Sequence, residues 1–556
     1  MENKYTLRNI LLNSAGKWPD KPALGFAGEQ SYTYKELLEK SSAWTNFLKN
    51  TLKLEKQDRV VILSESRPEW GAAYFGITAA GFIAVPVLPD FAPSQIAKII
   101  SHSEAKAVIF SKKQLPSFNN AVKENNTLAD LPSVLLETGK IFSGPEKDSF
   151  IQKPENPADY YNNEITPDDI AVILYTSGTT GTSKGVTHTH GAIAWNAVVS
   201  VREGLGENPE IKHLSILPLA HTYECTLGLV GVLNVGGEIK YLDGPPTSSR
   251  LLPALEKEKP SMMLTVPLLM DKIYRSKISG PLKSKKTGKI IYSIPLFRKL
   301  IHKIAGKKIY RVFGGNLIFF GIGGAPLARD VERFLIDAKF PYSVGYGLTE
   351  TAPLLAGGKP KDMKFRSTGK VVPGISIRID NPNSKGIGEI QAKGPSIMKE
   401  YWREPELTAG VFTDDGWFKT GDLGILKGNY LYIKGRLKDV LIGPNGENIY
   451  PDEIESVINS HSFVAESLAY IKNGSLVAKI HLDAEKLGSE IKKLGLAGNN
   501  KIKKWKKDTL EYIRKETNKH LGRHAKVQAV EEQEVPFEKT PSMKIKRFLY
   551  TKKDKK

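Results

Sequence analysis

The chain has 556 residues, a formal net charge of +20, 40% apolar residues and one cysteine, and these values exclude several classes of protein. The length exceeds what one ordinary hydrophobic core can hold, so we expect at least two domains. The apolar content, with 9% aromatic residues, excludes a disordered chain. A single cysteine excludes a disulfide framework and favours a reducing compartment. The amino terminus lacks the charged-then-apolar pattern of a leader, so we expect a cytoplasmic protein.

Short apolar runs alternate with helical patterns along residues 1–433. Residues 59–63, 107–110 and 170–174 are apolar and rich in β-branched side chains, which predicts buried strands of a layered α/β fold. Residues 386–391 and 429–433 are short and alternate, as strands of antiparallel hairpins do.

The uncharged run 70–89 is long enough to cross a bilayer and has to be weighed as a membrane span. However, Gly71, Gly76 and Gly81 have a spacing that allows close helix packing, and two prolines interrupt the end of the run. We therefore expect a buried helix followed by a strand.

A loop rich in hydroxyls and glycines follows the apolar run that ends at Tyr175. The loop contains the hydroxyl residues Thr176, Ser177, Thr179, Thr180, Thr182 and Ser183 and the glycines Gly178, Gly181 and Gly185. Its single lysine is Lys184. Hydroxyls and exposed backbone N–H groups bind phosphate oxygens, and a lysine adds a point charge. The loop departs from a P-loop, because Ser183 replaces the second glycine and Gly185 replaces the magnesium-binding Ser/Thr. A solvated turn is the alternative interpretation.

Much of the positive charge lies in residues 272–329, which include no acidic residue. Basic residues alternate there with apolar ones: Lys283, Lys285, Lys286, Lys289, Arg298, Lys299, Lys303, Lys307, Lys308 and Arg311 with Ile290, Ile291, Ile294, Leu296, Phe297, Leu300, Ile301 and Ile304. Such a helix can lie on an anionic membrane surface, or it can be a core helix with a solvated basic face, and we leave both open. No nucleic-acid recognition motif accompanies the charge, so no specific nucleic acid is expected.

Five further segments have the character of turns that carry functional groups. They are Gly321–Pro326, Gly345–Glu350, Phe418–Gly424, Gly435–Asp439 and Thr540–Arg547. Taken singly, each is equally well explained as a turn, a helix cap or a salt-bridge partner. The composition becomes more helical and richer in lysine after residues 434–439, which predicts a domain boundary there.

Together with the loop, in this order and spacing, these segments resemble the ANL superfamily of adenylate-forming enzymes, and most closely its long-chain fatty-acid–CoA ligase branch. The resemblance covers nearly the whole chain, from about residue 20 to Arg547. It implies a large amino-terminal domain of layered α/β subdomains (1–433) and a small mobile α+β domain (434–556), with a hinge near Lys438.

The resemblance also implies a role for each matching residue. The triphosphate would be held by Thr176, Ser177, Gly178, Thr179, Thr180, Gly181 and Lys184, the α-phosphate by Thr349, and a Mg²⁺ ion by Glu350. The adenine would be held by Tyr346, Gly347, Gly324, Ala325 and Pro326, and the ribose by Asp422 and Arg436. His221 would line the acyl site, Gly443 and Gly446 would line the path of CoA, and Lys544 would bind the substrate carboxylate and the α-phosphate in the transition state. His188 and His190 are expected to pack near the loop.

The implied reaction is the ATP- and Mg²⁺-dependent conversion of a fatty acid into acyl-AMP and then acyl-CoA, with release of pyrophosphate and AMP. Two positions depart from the common family pattern: Ser183 stands where proline is usual, and Met543 where many members have glycine. The alternatives are a ligase for an aryl or short acid, an enzyme that loads a carrier protein, and a non-catalytic basic nucleotide-binding protein at a membrane surface. Peripheral association with the inner face of a membrane is expected only if the basic stretch binds lipid.

Overall fold

A computed structural model describes residues 5–144, 147–148, 150–151, 160, 162–177, 183–206, 210–279, 286–442, 448–496, 498–522, 525–539 and 545–551. Over these residues the fold is mixed α/β, as the sequence predicts. The α-helices, in chain order, are α1 (Leu7–Lys17), α2 (Tyr34–Asn46), α3 (Pro68–Ala79), α4 (Pro93–His102), α5 (Leu115–Glu124), α6 (His190–Leu205), α7 (Gly231–Asn234), α8 (Ser248–Glu258), α9 (Pro267–Tyr274), α10 (Lys286–Ser293), α11 (Pro295–Val312), α12 (Arg329–Asp337), α13 (Pro405–Gly410), α14 (Pro451–Ile458), α15 (Ala484–Lys493) and α16 (Asn499–His520).

Two large sheets form the amino-terminal part. Sheet A contains, in spatial order, β14 (Tyr342–Val344), β13 (Phe319–Ile322), β12 (Met262–Thr265), β10 (Lys212–Ser215), β11 (Glu238–Tyr241), β1 (Pro22–Phe26) and β2 (Tyr32–Thr33). Sheet B contains β20 (Glu400–Tyr401), β9 (Ser183–Thr189), β8 (Ile170–Ser177), β4 (Ile83–Val87), β3 (Arg59–Leu63), β5 (Ala107–Phe110), β6 (Ser133–Leu135) and β7 (Ile141–Ser143). Most neighbours are parallel, and antiparallel pairs lie at the sheet edges.

Sheet C is antiparallel, and its strands come after most strands of sheets A and B in the chain. Its strands, in spatial order, are β15 (Tyr346–Gly347), β16 (Leu354–Gly357), β17 (Lys370–Val371), β22 (Tyr430–Arg436), β21 (Phe418–Lys427), β19 (Gly388–Lys393) and β18 (Ser376–Asp380). The predicted buried strands correspond to β3, β5 and β8, and the two predicted hairpin strands to β19 and β22, so these predictions are confirmed.

The carboxy-terminal part has small sheets of its own. A hairpin of β23 (Leu441–Ile442) and β24 (Asn448–Ile449) precedes the sheet of β25 (Val464–Lys472), β26 (Ser475–Leu482) and β27 (Ala529–Glu532). Apolar side chains of α14 and α16, including Ile454 and Ile513, pack against this sheet in a separate core. The division into domains at residue 433 stays a prediction.

The run 70–89 folds into α3 and β4, and both elements are buried. α3 contacts strands of both sheet A and sheet B, so its apolar character reflects a position in the main core. No helix among the described residues is long and apolar enough to cross a membrane. The prediction of a buried helix followed by a strand is therefore confirmed.

The glycines of α3 allow the close packing that their spacing predicts. A Cβ atom on Gly76 would lie 2.5 Å from Trp44 Cβ and 2.6 Å from the Ser41 carbonyl oxygen, both on α2. At these distances the backbone of α2 has to shift, because real Cβ atoms do not approach so closely.

We expect Gly76→Ala to destabilise the fold by about 1–3 kcal/mol, because the added methyl group overpacks the contact between α2 and α3. Gly16→Ala is the matched control: Gly16 is an exposed residue of α1 with nothing within 4 Å of its Cβ position. Alanine there should stabilise the helix by about 0.5–1 kcal/mol. The midpoint of urea unfolding measures both changes. Equal midpoints for the two variants would contradict this account of the helix contact.

Candidate functional site

The hydroxyl-rich loop connects β8 and β9, an antiparallel pair at one side of sheet B. Thr176 lies opposite Lys184, and Ser177 opposite Ser183, so the hairpin remains paired up to the point where the loop begins. Gly178, Thr179, Thr180 and Gly181 lie outside the described residues. A strand rather than a helix follows Lys184, and a P-loop requires a helix there. The geometry agrees with the departure from the P-loop pattern.

Lys184 belongs to a row of polar groups that runs from β9 to the turn Thr349–Thr351. β20 pairs with β9, and the Lys184 Nζ atom lies 5.2 Å from the centre of the Tyr401 ring on β20. The Tyr401 hydroxyl donates a 2.9 Å hydrogen bond to Glu350 Oε1. Burial raises the pKa of Tyr401 well above its usual value, and the neighbouring Glu350 carboxylate raises it further. Tyr401 is therefore a neutral donor that orients the Glu350 carboxylate.

His188 also contacts the turn Thr349–Thr351. Its side chain is buried on β9, and its Nε2 atom lies 2.6 Å from the Thr349 carbonyl oxygen. Burial lowers the pKa of His188 to about 4 and that of His190 to about 3. Both imidazoles are consequently neutral at pH 7, and His188 donates its Nε2 hydrogen to Thr349. His188 lies on β9 four residues after Lys184, but His190 begins α6 at the end of β9 away from the loop, and its Nδ1 atom accepts from the Leu7 amide at 3.3 Å. The expectation of packing near the loop therefore fails for His190.

A second polar cluster surrounds Asp422 in sheet C. The Tyr346 hydroxyl donates to Asp422 Oδ2 at 2.7 Å, and Arg436 Nε pairs with Asp422 Oδ1 at 2.8 Å. Asp422 and Arg436 lie opposite each other on β21 and β22, so the strand register brings them together. A carboxylate can accept several hydrogen bonds, because each of its two oxygens has two lone pairs. The cluster can therefore also accept hydrogen bonds from a ligand's hydroxyl groups.

Gly347 is next to Tyr346 and has a steric reason to be glycine. A Cβ atom there would lie 1.8 Å from the Pro353 carbonyl oxygen, where the strands β15 and β16 pair. The close approach leaves Tyr346 at the edge of a tight hairpin.

The turn Gly323–Pro326 follows β13 directly, as the sequence predicts. Gly324 has a φ of +85°, a conformation that favours glycine, and Gly324, Ala325 and Pro326 are exposed. The Gly345 amide donates to the Ile322 carbonyl, so this turn lies beside the segment that leads into Tyr346. The exposed turn and Tyr346 thus follow two neighbouring parallel strands, β13 and β14.

Arg436 ends β22 and is followed by the 3₁₀ turn Leu437–Asp439. Loss of hydration lowers the pKa of the Lys438 ammonium, and the cations Arg436 and Lys184 lower it further, against the opposing effect of Asp439. Lys438 and the loop lysine therefore lie within each other's electrostatic reach. Such a cluster of cations suits a polyanionic ligand.

Lys544, Gly443 and Gly446 lie outside the described residues. Lys539 and Ile545, on either side of Lys544 in the chain, pair with each other as an antiparallel bridge. Arg547 binds Glu455 at 2.5 Å and Asp452 at 3.5 Å on α14, and Asp439 of the 3₁₀ turn at 3.8 Å. Arg547 thus ties the carboxy-terminal motif to the turn that carries Lys438.

A small, mostly apolar cavity of ≈ 40 Å³ lies beside β13, and Phe319 and Gly321 of this strand line it. Its lining includes Tyr223, Leu227, Leu264, Phe319 and several glycines. His221 is outside this lining, two residues before Tyr223. The structure therefore brings the segment of His221, but not the imidazole itself, to the cavity wall.

Two residues that line the site or the cavity could not be selected from the sequence. Tyr401, which contacts Lys184 and Glu350, lies in a two-residue strand that no motif marks. Phe319 belongs to no motif either, although its ring lies 3.1 Å from the Cβ position of Gly204 across the cavity. Tyr401 reaches the site because β20 pairs with β9 at the edge of sheet B, and no local sequence pattern predicts this long-range pairing.

The site holds two carboxylates, Glu350 and Asp422, among the cations Lys184, Arg436 and Lys438. Within the described ranges there is no group of three His, Cys, Asp or Glu side chains that could hold a metal ion. A Mg²⁺ ion at Glu350 would take its other ligands as it commonly does at nucleotide sites, from phosphate oxygens and water.

Comparison with curated proteins finds relatives over most of the chain. Long chain acyl-CoA synthetase 7, peroxisomal, of Arabidopsis thaliana is 30% identical over 458 residues, which cover 76% of this chain and 64% of that protein. The long-chain-fatty-acid–CoA ligase of Salmonella typhimurium is 27% identical over 500 residues, covering 84% of this chain and 82% of that protein. This chain thus spans slightly less than two thirds of the Arabidopsis relative.

Comparison with solved structures supports the fold. The anthranilate CoA ligase AuaEII in complex with anthranoyl-AMP has a TM-score of 0.75 at 19% identity, and 99% of this chain and 97% of that chain are covered. A family model described as AMP-binding enzyme matches residues 11–402, well over half of the sequence. The chain therefore belongs to the AMP-binding enzyme family, within the ANL superfamily of adenylate-forming enzymes.

Proposed function

We propose that this protein is an ATP-dependent fatty acid–CoA ligase that makes acyl-AMP and then acyl-CoA. The observation that carries the proposal is the convergence of Lys184, Tyr401 and Glu350 on one side and of Tyr346, Asp422 and Arg436 on the other. The names of the relatives from Arabidopsis and Salmonella point to the same activity and to long-chain acids.

The nucleotide is held by both polar clusters. Tyr346 and the turn Gly324–Pro326 enclose the adenine, and Asp422 accepts hydrogen bonds from the ribose hydroxyls while Arg436 keeps the carboxylate in place. The loop from Thr176 to Lys184 binds the triphosphate. Thr349, whose carbonyl oxygen is fixed by His188, directs its hydroxyl to the α-phosphate.

Glu350 is the proposed Mg²⁺ ligand. Tyr401 donates to one of its two oxygens, which orients the carboxylate beside Lys184. A single carboxylate together with phosphate oxygens is a common way to hold Mg²⁺. When bound, the ion supplies charge neutralisation on the phosphates.

In the first half-reaction the fatty-acid carboxylate is the nucleophile. Its oxygen forms a bond to the α-phosphorus, and the bond to the bridging oxygen of pyrophosphate breaks. Lys544 stabilises the charge that develops on the α-phosphate, and no general base is required because the carboxylate is already ionised.

In the second half-reaction the sulfur of CoA forms a bond to the acyl carbonyl carbon, AMP leaves, and the thiol proton passes to solvent. We propose that the part after Lys438 rotates about this residue, withdrawing Lys544 and moving the segment with Gly443 and Gly446 to the thiol. Arg547 supports this role because it joins the Lys544 motif, α14 and the turn at Asp439 into one unit.

The acyl chain occupies the apolar cavity beside β13, with His221 near its entrance. At ≈ 40 Å³ the cavity is smaller than a fatty acyl chain, so binding requires movement of lining side chains such as Phe319. An aryl or short acid needs less movement and is the second candidate substrate. The proposal also includes peripheral association with an anionic membrane.

The substrate is tested by pyrophosphate release from ATP with a panel of aryl, short-chain and long-chain acids, each with and without CoA. We expect release that depends on the acid and is greatest with long chains, and a thioester only when CoA is present. A preference for aryl acids would replace the fatty-acid assignment. Release that no acid stimulates would contradict an adenylating enzyme.

The division of roles is tested by Lys544→Ala. The variant should release pyrophosphate on the order of a hundredfold to a thousandfold more slowly, the range for a lost oxyanion donor, yet convert supplied acyl-AMP and CoA to thioester normally. Lys546→Ala is the matched control, because Lys546 pairs with Glu538 at 3.4 Å on the surface. Equal loss of both half-reactions in the Lys544 variant would refute the proposed roles.

A further inference from the structure

The helices α10 and α11 turn apolar side chains towards solvent. Leu296 is 76% exposed, and Ile290 and Ile304 are each 64% exposed. The exposed apolar residues of this surface, which we call the α10–α11 face, are Ile290, Ile291, Ile294, Leu296, Phe297, Leu300 and Ile304. A contiguous apolar surface of this kind marks an interaction site.

The opposite side of the two helices packs on the core, where buried polar groups lie beside apolar ones such as Ile309. Tyr292 donates to His302 Nε2 at 2.7 Å and accepts from the Tyr274 hydroxyl at 2.6 Å, while His302 Nδ1 donates to Asp337 at 2.9 Å. Tyr274, Tyr292 and His302 are all buried. Burial lowers the pKa of His302 in spite of the opposing Asp337, so the imidazole stays neutral at pH 7. Rolling the helices to hide their isoleucines would expose this chain of hydrogen bonds.

This orientation favours the first of the two interpretations that the sequence leaves open. A core helix with a solvated basic face would bury Leu296, Leu300 and Ile304. These three residues are spaced by four, so they lie along one side of α11, and that side faces solvent.

Basic side chains surround and extend the α10–α11 face. Those exposed on α11 are Lys299, Lys303, Lys307, Lys308 and Arg311. The acidic residues on the neighbouring α12 already have partners: Asp330 pairs with Arg275, Glu332 with Arg366 and Asp337 with His302. The face therefore combines apolar and cationic groups without acidic residues of its own.

We propose that the α10–α11 face docks on the surface of an anionic lipid bilayer. Its apolar side chains enter the boundary between headgroups and acyl chains, and its lysines contact lipid phosphates. A nucleic acid would satisfy the lysines but leave the apolar side chains in water. A second copy of the chain would bring a face of the same charge.

The docking surface is connected to the proposed acyl site. A short loop, 313–318, joins α11 to β13, whose Phe319 and Gly321 line the apolar cavity. Docking would hold this cavity close to the bilayer, where a fatty acid is concentrated. Only this connection rests on the proposed ligase activity; the docking itself does not.

Flotation of the full chain with vesicles tests the proposal. We expect binding to phosphatidylcholine vesicles containing phosphatidylglycerol, weakened by added salt, and little binding to phosphatidylcholine alone. The triple variant Lys299→Glu, Lys303→Glu, Lys307→Glu should bind on the order of a hundredfold more weakly. Lys501→Glu, Lys503→Glu, Lys504→Glu is the matched control, with the same change of charge at exposed positions of α16, and it should bind nearly as the parent does.

The apolar part is tested by Leu296→Ser, Leu300→Ser, Ile304→Ser, which should also weaken vesicle binding. Parental binding by either α11 variant, or equal losses in the α11 and α16 charge variants, would overturn the proposal. So would tighter binding to single-stranded RNA than to the vesicles. Competition by inorganic phosphate beyond that of chloride at equal ionic strength would indicate a phosphate site instead. Pyrophosphate release with a water-soluble acid, measured without vesicles, should be unchanged in all variants, which separates this test from that of the reaction.

Discussion

The buried carboxylate of Asp422 is the interaction on which the site depends. It accepts from Tyr346 on one oxygen and pairs with Arg436 on the other, and so joins three strands of sheet C at one point. Asp422 is only 4% exposed, and removing either partner would weaken the compensation of a buried charge. The carboxylate thereby fixes the aromatic ring proposed for the adenine and the last residue of β22 together.

The same carboxylate connects nucleotide binding with the proposed rotation. Arg436 immediately precedes the turn Leu437–Asp439, and Asp439 belongs to the ion pairs of Arg547. The proposed ribose contact and the carboxy-terminal motif are therefore separated by only one turn and one arginine. A change of conformation at Lys438 can alter the position of Lys544 while Asp422 keeps its place in sheet C.

Much of the fold could be predicted from local pattern, because buried parallel strands and the glycine-bearing helix α3 leave strong signals in composition. Asp422, Tyr346 and Arg436 could be selected from their motifs, and the register of β21 and β22 explains why they meet. Tyr401 could not be selected, since its contacts depend on β20 joining the edge of sheet B far along the chain. The outward orientation of Leu296 and Ile304 was also beyond the sequence. An amphipathic pattern predicts that a helix has an apolar face and a polar face, but it does not say which face packs on the core. In α11 the buried hydrogen bond from His302 to Asp337 holds the side with His302 against the core.

The most direct test of the central claim compares the affinities of ATP and 2′,3′-dideoxy-ATP for the parent chain and for Asp422→Asn. If Asp422 receives the ribose hydroxyls, their removal should cost the parent about 1.5–3 kcal/mol, the range for hydrogen bonds to a charged group, and should cost the variant much less. Tyr346→Phe keeps the carboxylate and should retain the parent's discrimination. Equal discrimination by the parent and Asp422→Asn would contradict the account.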